Sequence, residues 1–383
     1  MTRRFTVAIN IGIEGGAQRR IVRGIIRYCQ THTAWNFVEY QGMPLARSPH
    51  PLKLQYTGLI TALNDAADMR IARTTQAMGI PVVAINQGLP IQRIAMVCSN
   101  DLLIGEMGAR FFLDKGFRNF AYYGTSQFRW SRQRKNGFGG ALKKAGFTAA
   151  TQEASHTLSL DKAMPRLHQW LAGLPRPLAV MASDDLPARH ILAACRENGL
   201  HVPEQVAVLG VDDDDILCEM ATPPLSSIMQ DCDRIGYEAA ALLDKMMQRK
   251  QPSFRAIQIP PLRIVARRST DITAIEDPEV AQALQLIHSK AGEALSVKTL
   301  LRDIPVSRRT LERRFTSALG RSPADEIRRC RLERAKLLLR TSTLKISRVA
   351  IQSGFCDART MAVVFRREMK LSASAYRRKF RDN

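Results

Sequence analysis

Two stretches, Ser307-Arg-Arg-Thr-Leu-Glu-Arg-Arg-Phe315 and Asp357-Ala-Arg-Thr-Met-Ala-Val-Val-Phe365, decide how the last quarter of this chain folds. Each sets a polar capping residue, an apolar residue four positions on and a Phe four further: Ser307, Leu311, Phe315, then Asp357, Met361, Phe365. A cap followed by apolar residues at that spacing predicts a helix with one buried face. A short apolar helix and a tight turn precede each copy, Val297 to Asp303 and Ile346 to Ser353. That is the pattern of a helix-turn-helix, written twice. The outward positions of the first copy are Arg308, Arg309, Glu312 and Arg313, the side chains expected of a helix lying against phosphates and base edges.

Working outward, the charge is concentrated in the same region. From Val280 onward 24 Lys and Arg stand against nine Asp and Glu, so +15 of the net +22 falls in the last quarter. Double-stranded nucleic acid is therefore the first partner to expect, ahead of a merely solvated basic face. The tail reads as helices over Glu279–Ala291, Val297–Asp303, Arg308–Leu319, Pro323–Leu339, Ile346–Ser353, Ala358–Met369 and around Tyr376, with Ser322-Pro323 opening one and Gly320 and Gly354 closing two.

The preceding part has a different grammar. Short apolar runs (Phe5–Ile11, Gly58–Leu63, Pro81–Ile85, Phe120–Gly124, Leu178–Ala182, Val206–Val211) alternate with amphipathic segments such as Ala17–Thr31, Asp101–Lys115, Arg132–Lys144 and Leu186–Asn198. Continuous apolar runs are strands buried on both faces, and their alternation with helices predicts α/β layering around parallel sheets. Ligands in such folds sit beyond the C-terminal ends of the strands. The boundary is expected between Arg267 and Pro278, giving a first domain over 1–270 and an all-α domain over 278–383. The N-terminal apolar run is broken by Glu14 before reaching signal-peptide length, and no segment is apolar for the roughly 20 residues a membrane span needs. Seven dispersed cysteines imply neither a disulfide framework nor a zinc site. Together these point to a cytoplasmic protein with no membrane partner.

The tail resembles the AraC-type transcription regulators in SVKTLLRDIPVSRRTLERRFTSALGRSP, in the linking segment RRCRLERAKLLL and in ISRVAIQSGFCDARTMAVVFRREM, ending in AYRRKF. The resemblance implies two helix-turn-helix units joined by a rigid helix and reading successive major grooves. It places Arg309, Glu312 and Arg313 at base-facing positions, with Arg308 and Arg314 toward phosphates, and leaves Arg359 and Thr360 as the polar readers of the second unit, where Ala358 and Val363 replace common base readers. Pro305 stands where the family has a turn glycine, which implies a different backbone there, and Lys370 replaces the second unit's terminal glycine.

The first 270 residues resemble the sugar-binding core of lactose-repressor-like regulators and periplasmic sugar-binding proteins, through VPEQVAVLGVDD, PPLSSIMQDCDRIGYEAAALL and RQRKNGFGGAL. A core of that kind before an AraC-type tail, joined at IPPLRIVARRSTD, resembles the xylose-operon activator family. The implied fold is a two-lobed, periplasmic-binding-protein-like sensor followed by an all-α domain. The implied partners are promoter half-sites, a sugar effector (D-xylose by family expectation), a second copy of the chain and RNA polymerase. Hydroxyl-binding roles carry over onto Arg134, Asp184 and Asp212, with Asn100 and Gln230 beside them. Trp130 is added on chemistry, as an aromatic face for sugar C–H groups or as a core residue.

Other readings compete. Asp212 to Asp215 is either a metal site or a loop capping a helix, and Asp184 with Asp185 either lines the cleft or caps the next helix. An enzymatic N-terminal domain, such as the cysteine chemistry of alkyl-transfer repair, would need a reactive thiol in an activating setting, and none is evident. Gly15-Gly16 lacks the strand-turn-helix phosphate fingerprint, so no catalytic residue, metal or cofactor is expected.

Overall fold

The structure is a computed structural model that describes residues 5–38, 55–86, 94–153, 160–249, 256–272, 277–290, 292–293, 295–319, 321–342 and 344–380. Two compact units divide at Ile272/Thr273.

The first unit opens with β1 (Phe5–Asn10), α1 (Gly16–His32), β2 (Trp35–Val38), β3 (Gly58–Thr61), α2 (Ala66–Ala77), β4 (Val82–Ala84) and β5 (Ala95–Ser99). It continues through α3 (Asp101–Asp114), β6 (Asn119–Gly124), α4 (Arg129–Lys144), β7 (Ala149–Glu153), α5 (Leu160–Ala172), β8 (Leu178–Ala182), α6 (Asp185–Glu197), β9 (Val206–Val211), α7 (Asp215–Met220) and β10 (Ser226–Met229). It ends with α8 (Cys232–Arg249), β11 (Ala256–Ile259) and β12 (Arg263–Val265). Two six-stranded sheets result, ordered β11-β5-β4-β3-β1-β2 and β12-β10-β9-β8-β6-β7. The described pairings are parallel except that of β12 on β10. The central strands are covered on both faces; all of Leu178–Ala182 and Val206–Val211 is buried, which is why these runs are uninterruptedly apolar.

Each sheet is the centre of one lobe, and the chain crosses between them three times. It leaves the first lobe after β5, with α3 packing on α4 of the second; it returns after β10, with α8 packing on α1; and it crosses again between β11 and β12. Hydrogen bonds tie the crossovers together, Asn100 N to Ile259 O (2.8 Å) and Leu262 N to Met229 O (2.9 Å). Close approach of α3 and α4 depends on reciprocal glycines: a Cβ on Gly105 would collide with the Arg134 carbonyl, and one on Gly137 with that of Leu102. That contact brings the start of α3 against the first turns of α4.

The second unit is helical over its described residues: α9 (Pro278–Ser289), α10 (Val297–Leu300), α11 (Arg308–Leu319), α12 (Pro323–Thr341), α13 (Ile346–Gln352), α14 (Ala358–Met369) and α15 (Ala373–Phe380). The repeated apolar positions behave as the spacing predicts: Leu311, Phe315, Met361 and Phe365 are fully buried. Ser307 Oγ accepts from Thr310 N (3.2 Å), and Asp357 Oδ1 from Thr360 N (2.6 Å), so each α11/α14 start is capped by the expected residue. The linking helix α12 has 19 residues, about 28 Å at 1.5 Å per residue. Helix α10 stops at Leu300, shorter than expected, and the turn before α11 runs past Pro305 with no left-handed residue, bridged by Val306 N to Ile304 O (2.8 Å). Gly354 and Lys370 both adopt the left-handed conformation, with φ of 81° and 55°; Gly320 and residues 273–276 of the connection lie outside the described residues.

Candidate functional site

A cavity of about 400 Å³ opens where the strand ends of both sheets in the first unit face each other. From the second lobe and the crossovers come Ser99, Asp101, Trp130, Arg134, Asp184, Asp212 and Gln230. The first lobe adds Glu14, Gln18, Asn64 and Asn86, on the loops after β1, β3 and β4 and on α1.

Arg134 is the centre of this constellation. Carried on the first turns of α4 and 5% exposed, its Nε donates to Asp101 Oδ1 at 2.9 Å and its Nη1 to the Ser183 carbonyl at 2.5 Å, with Asp212 Oδ1 3.9 Å away. Its guanidinium lies 4.8 Å from the Trp130 ring centroid, and Trp130 stacks on Phe128 at 5.4 Å. Arginine over an aromatic face is held there by the ring quadrupole. Gln230 links crossovers to lobe, accepting from Ser99 Oγ and donating through Nε2 to Asp212 Oδ1.

The carboxylates are electrostatically strained. Burial pushes Asp101 up to about 6, against the pull of Arg134 and with Asp212 adding to the rise. Burial likewise raises Asp212 to about 6, opposed by Arg134 and reinforced by Asp184, which is itself raised by burial. Arg134 is held more firmly protonated than usual: burial alone would lower it, and the charges of Asp101 and Asp212 outweigh that. Three acceptors and one cation thus face a half-apolar cavity, a donor-acceptor set that matches vicinal hydroxyls.

Of the residues singled out in sequence, Arg134, Asp184, Asp212, Gln230 and Trp130 all line this cavity. Asn100 does not: its Oδ1 accepts from Leu103 N (3.0 Å) as the cap of α3, and its neighbour Asp101 faces the cavity instead. Asp184 does both things proposed for it, lining the cavity while Oδ1 accepts from Leu186 N at 3.2 Å to cap α6. The run Asp212–Asp215 diverges. Asp212 turns to the cavity, Asp213 pairs with Arg267 Nη1 (2.8 Å), Asp214 caps α7 through Leu217 N (3.0 Å), and Asp215 is exposed. They do not converge on one point. Asp212 and Asp213 hold φ of 111° and 52°, and the buried Asp185 fixes this turn by accepting from Ser227 Oγ (2.6 Å) and Asp214 N (2.8 Å).

Among the described residues one group, His288, Glu326 and Cys330, brings potential metal ligands within 4.8 Å of one another. Glu326 is already held by Arg321 Nε (2.5 Å) and Arg329 Nη2 (2.7 Å), which makes it an ion-pair centre fixing α12. Cys98, Cys195, Cys218 and Cys232 are buried free thiols, and burial pushes Cys195 and Cys232 up to about 12, the opposite of an activated nucleophile.

In the second unit Arg308, Arg309 and Arg313 are exposed on α11, and Arg359 and Thr360 on α14. Glu312 is half-buried and accepts from Arg308 Nε at 2.8 Å. Arg314, expected toward phosphates, instead points its Nη1 at Glu279 (3.2 Å) and Asp277 (3.4 Å) at the start of α9. Position 314 lies one residue from the buried Phe315, so its side chain leaves the helix toward α9. Val363 is 66% exposed, an apolar side chain on the outward face of α14.

Comparison with known proteins agrees with this division. Residues 109–270 match the periplasmic binding protein-like domain family and residues 300–379 the helix-turn-helix domain family. The chain is 26% identical to the xylose operon regulatory protein of Escherichia coli (strain K12), over 98% of this chain and 97% of that one. It is 27% identical to the protein of the same name from Haemophilus influenzae, over 97% and 98%. The solved structure of a xylose-binding transcription activator covers 100% of both chains with a TM-score of 0.81 at 24% identity. A CelR–cellobiose complex covers 70% of this chain and 85% of its own, with a TM-score of 0.58 at 22% identity. Similar over essentially its whole length to the xylose operon regulatory proteins, the chain joins a periplasmic binding protein-like domain to a helix-turn-helix domain.

Proposed function

We propose that this protein is a sugar-responsive transcription regulator: its cleft binds a small sugar, D-xylose first among candidates, and its two helix-turn-helix units bind double-stranded promoter DNA. The observation that carries the sensing half is the Arg134–Asp101–Asp212–Gln230 network facing the cavity beside Trp130 and Asp184. Arg134 donates to a ring or hydroxyl oxygen, Asp184, Asp212 and Asp101 accept from hydroxyls, and Trp130 packs the C–H face. Asn64 and Asn86, hydrogen-bonded at 2.7 Å, close over the sugar from the first lobe. In the tail, Arg309 and Arg313 read base edges with Glu312, Arg308 neutralises phosphate, and α14 contributes Arg359, Thr360 and the apolar Val363.

A ligand shifts the equilibrium between DNA-binding states only by its differential affinity for them. The sugar therefore acts by favouring one arrangement of a homodimer in the cytoplasm, placing the tails on repeated half-sites where RNA polymerase can be engaged. Thermal-shift screening against aldopentoses and hexoses tests the sensing half, because a ligand that binds only the folded state raises its melting temperature. A gel-shift titration with promoter DNA tests the coupling. Retarded bands unaffected by every sugar that raises the melting temperature would sink the switch.

A further inference from the structure

The backbone N–H of Gly16, at the start of α1, is met by a carboxylate. Helix α1 has no side-chain cap of its own: Gly15 stands at the capping position in an extended conformation. Its first amide is met from the opposite lobe, where Asp214 Oδ2 accepts from Gly16 N at 2.7 Å. The other oxygen of the same carboxylate, Oδ1, accepts from Leu217 N and caps α7. One side chain therefore caps two helices on two lobes. A Cβ on Gly16 would stand 2.7 Å from Asp214 Oδ2, so only glycine leaves room for the approach. One turn further along α1, Arg20 Nη2 donates to the carbonyl of Asp212, a second bond from α1 into the same turn. Burial works against the Asp214 carboxylate, but its bonds to Leu217 and Gly16 and the charge of Arg19 hold its pKa below the ordinary value, so it stays ionised.

We propose that Asp214 is a cleft latch, a positioning residue that joins the start of α1 to the start of α7 and holds the two lobes closed over the effector. This role rests on the sugar reading above. Residues 212–214 connect the latch to the cavity, since Asp212 faces the ligand space two residues away and Asp185 fixes the turn between. Closure and ligand contact are thereby set by one rigid segment: when the latch engages, the Asp212 carboxylate is delivered to its place.

Two substitutions from opposite lobes test it in the full-length chain. Asp214→Asn keeps one oxygen for α7 and turns an N–H toward the Gly16 N–H, leaving two donors face to face. Gly16→Ala pushes the carboxylate away while improving the intrinsic helix propensity of α1, so a purely structural role predicts no loss. In the sugar-free protein, peptide-resolved hydrogen exchange should rise several-fold in the first turn of α1 in both variants. Titrated with D-xylose, each variant should bind about 5- to 30-fold more weakly, and the double variant no more weakly than the worse single, because one contact is removed twice. Unchanged exchange, or affinity losses that multiply in the double variant, overturns the latch. A wild-type chain that ignores D-xylose counts against the sugar reading, and the exchange result alone then decides the latch.

Discussion

Replacing Arg134 by Met should be the most damaging single change in the sensor, and its cost can be worked through. The side chain is 5% exposed and is the charged partner of Asp101, itself 5% exposed, besides donating to the Ser183 carbonyl. Methionine restores most of the volume but none of the donors, and removing one partner of a buried ion pair costs roughly 3–5 kcal/mol because the other charge is stranded. Asp101 has an escape: burial already holds it at about 6, and without the guanidinium it climbs further and takes up a proton at neutral pH. That places the expected loss near the lower end, about 3 kcal/mol at pH 7.5. The loss shrinks toward pH 5, where the wild-type carboxyl is already largely protonated. Urea unfolding followed by tryptophan fluorescence reads it cleanly, since all three tryptophans, Trp35, Trp130 and Trp170, lie in the first unit. Adding Asp101→Asn to Arg134→Met should recover at least half of the loss, although Asp101→Asn alone destabilises. A loss below about 1 kcal/mol, or no recovery in the double variant, would refute the claim that this pair carries a buried charge.

Other outcomes follow from the same geometry. Asp101 and Asp212 titrate near 6 in the folded sensor against about 3.9 unfolded, so between those values the folded state binds the extra protons and stability falls as pH rises. Tryptophan-detected melting should therefore be higher at pH 5.5 than at 7.5, while D-xylose affinity measured by calorimetry should move the other way as acceptors are lost; an equal or lower melt at pH 5.5 contradicts the assignment. Arg313→Ala should relax sequence preference at one position, costing about 1–3 kcal/mol on the preferred site, whereas Arg359→Ala should weaken binding less. Binding-site selection reads both, and equal losses on all sequences would remove base reading from α11. Lys370 holds φ of 55°, so Lys370→Gly should stabilise the second unit by about 1 kcal/mol, raising its calorimetric transition by about 4 °C; no rise would mean that the lysine side chain compensates for its backbone.

What the sequence made legible follows from burial. The central strands β8 and β9 were readable because both faces are covered and every residue is apolar. Strands β2, β7 and β11 escaped, and all three are sheet edges, where half-exposed residues such as those of Ala149–Glu153 break the run. In the cleft, polar residues after apolar runs identified Asp184, Asp212 and Gln230, and the helix opening with Arg134 was recognisable. The choice of Asn100 over Asp101 went wrong because two adjacent polar residues compete for one capping position, and only the α3–α4 contact decides which faces Arg134. Asn64 ends an apolar run in the same way as Asp184, so the signal was there; Gln18 and Glu14 belong to a helix start whose direction the sequence leaves open. The latch had no local signal, since Gly16 and Asp214 are 198 residues apart.

The threefold crossing has a consequence for how the protein is made. The second lobe is written almost continuously, from Asp101 to Met229, lacking its antiparallel edge strand β12 and the buried Ser269–Thr270 turn that bonds to Val208 and Ser226. The first lobe is begun at Phe5, yet it needs α8 to cover α1 and β11 to pair with β5. On a ribosome that emits the chain from its N-terminus, the lobe begun first waits for almost the whole of the other lobe before its own core can close. Its early strands must wait, with the apolar face of α1 uncovered, until residue 249 and then residue 259 have emerged, which makes the nascent first lobe the stage at which chaperones have the longest access to this chain.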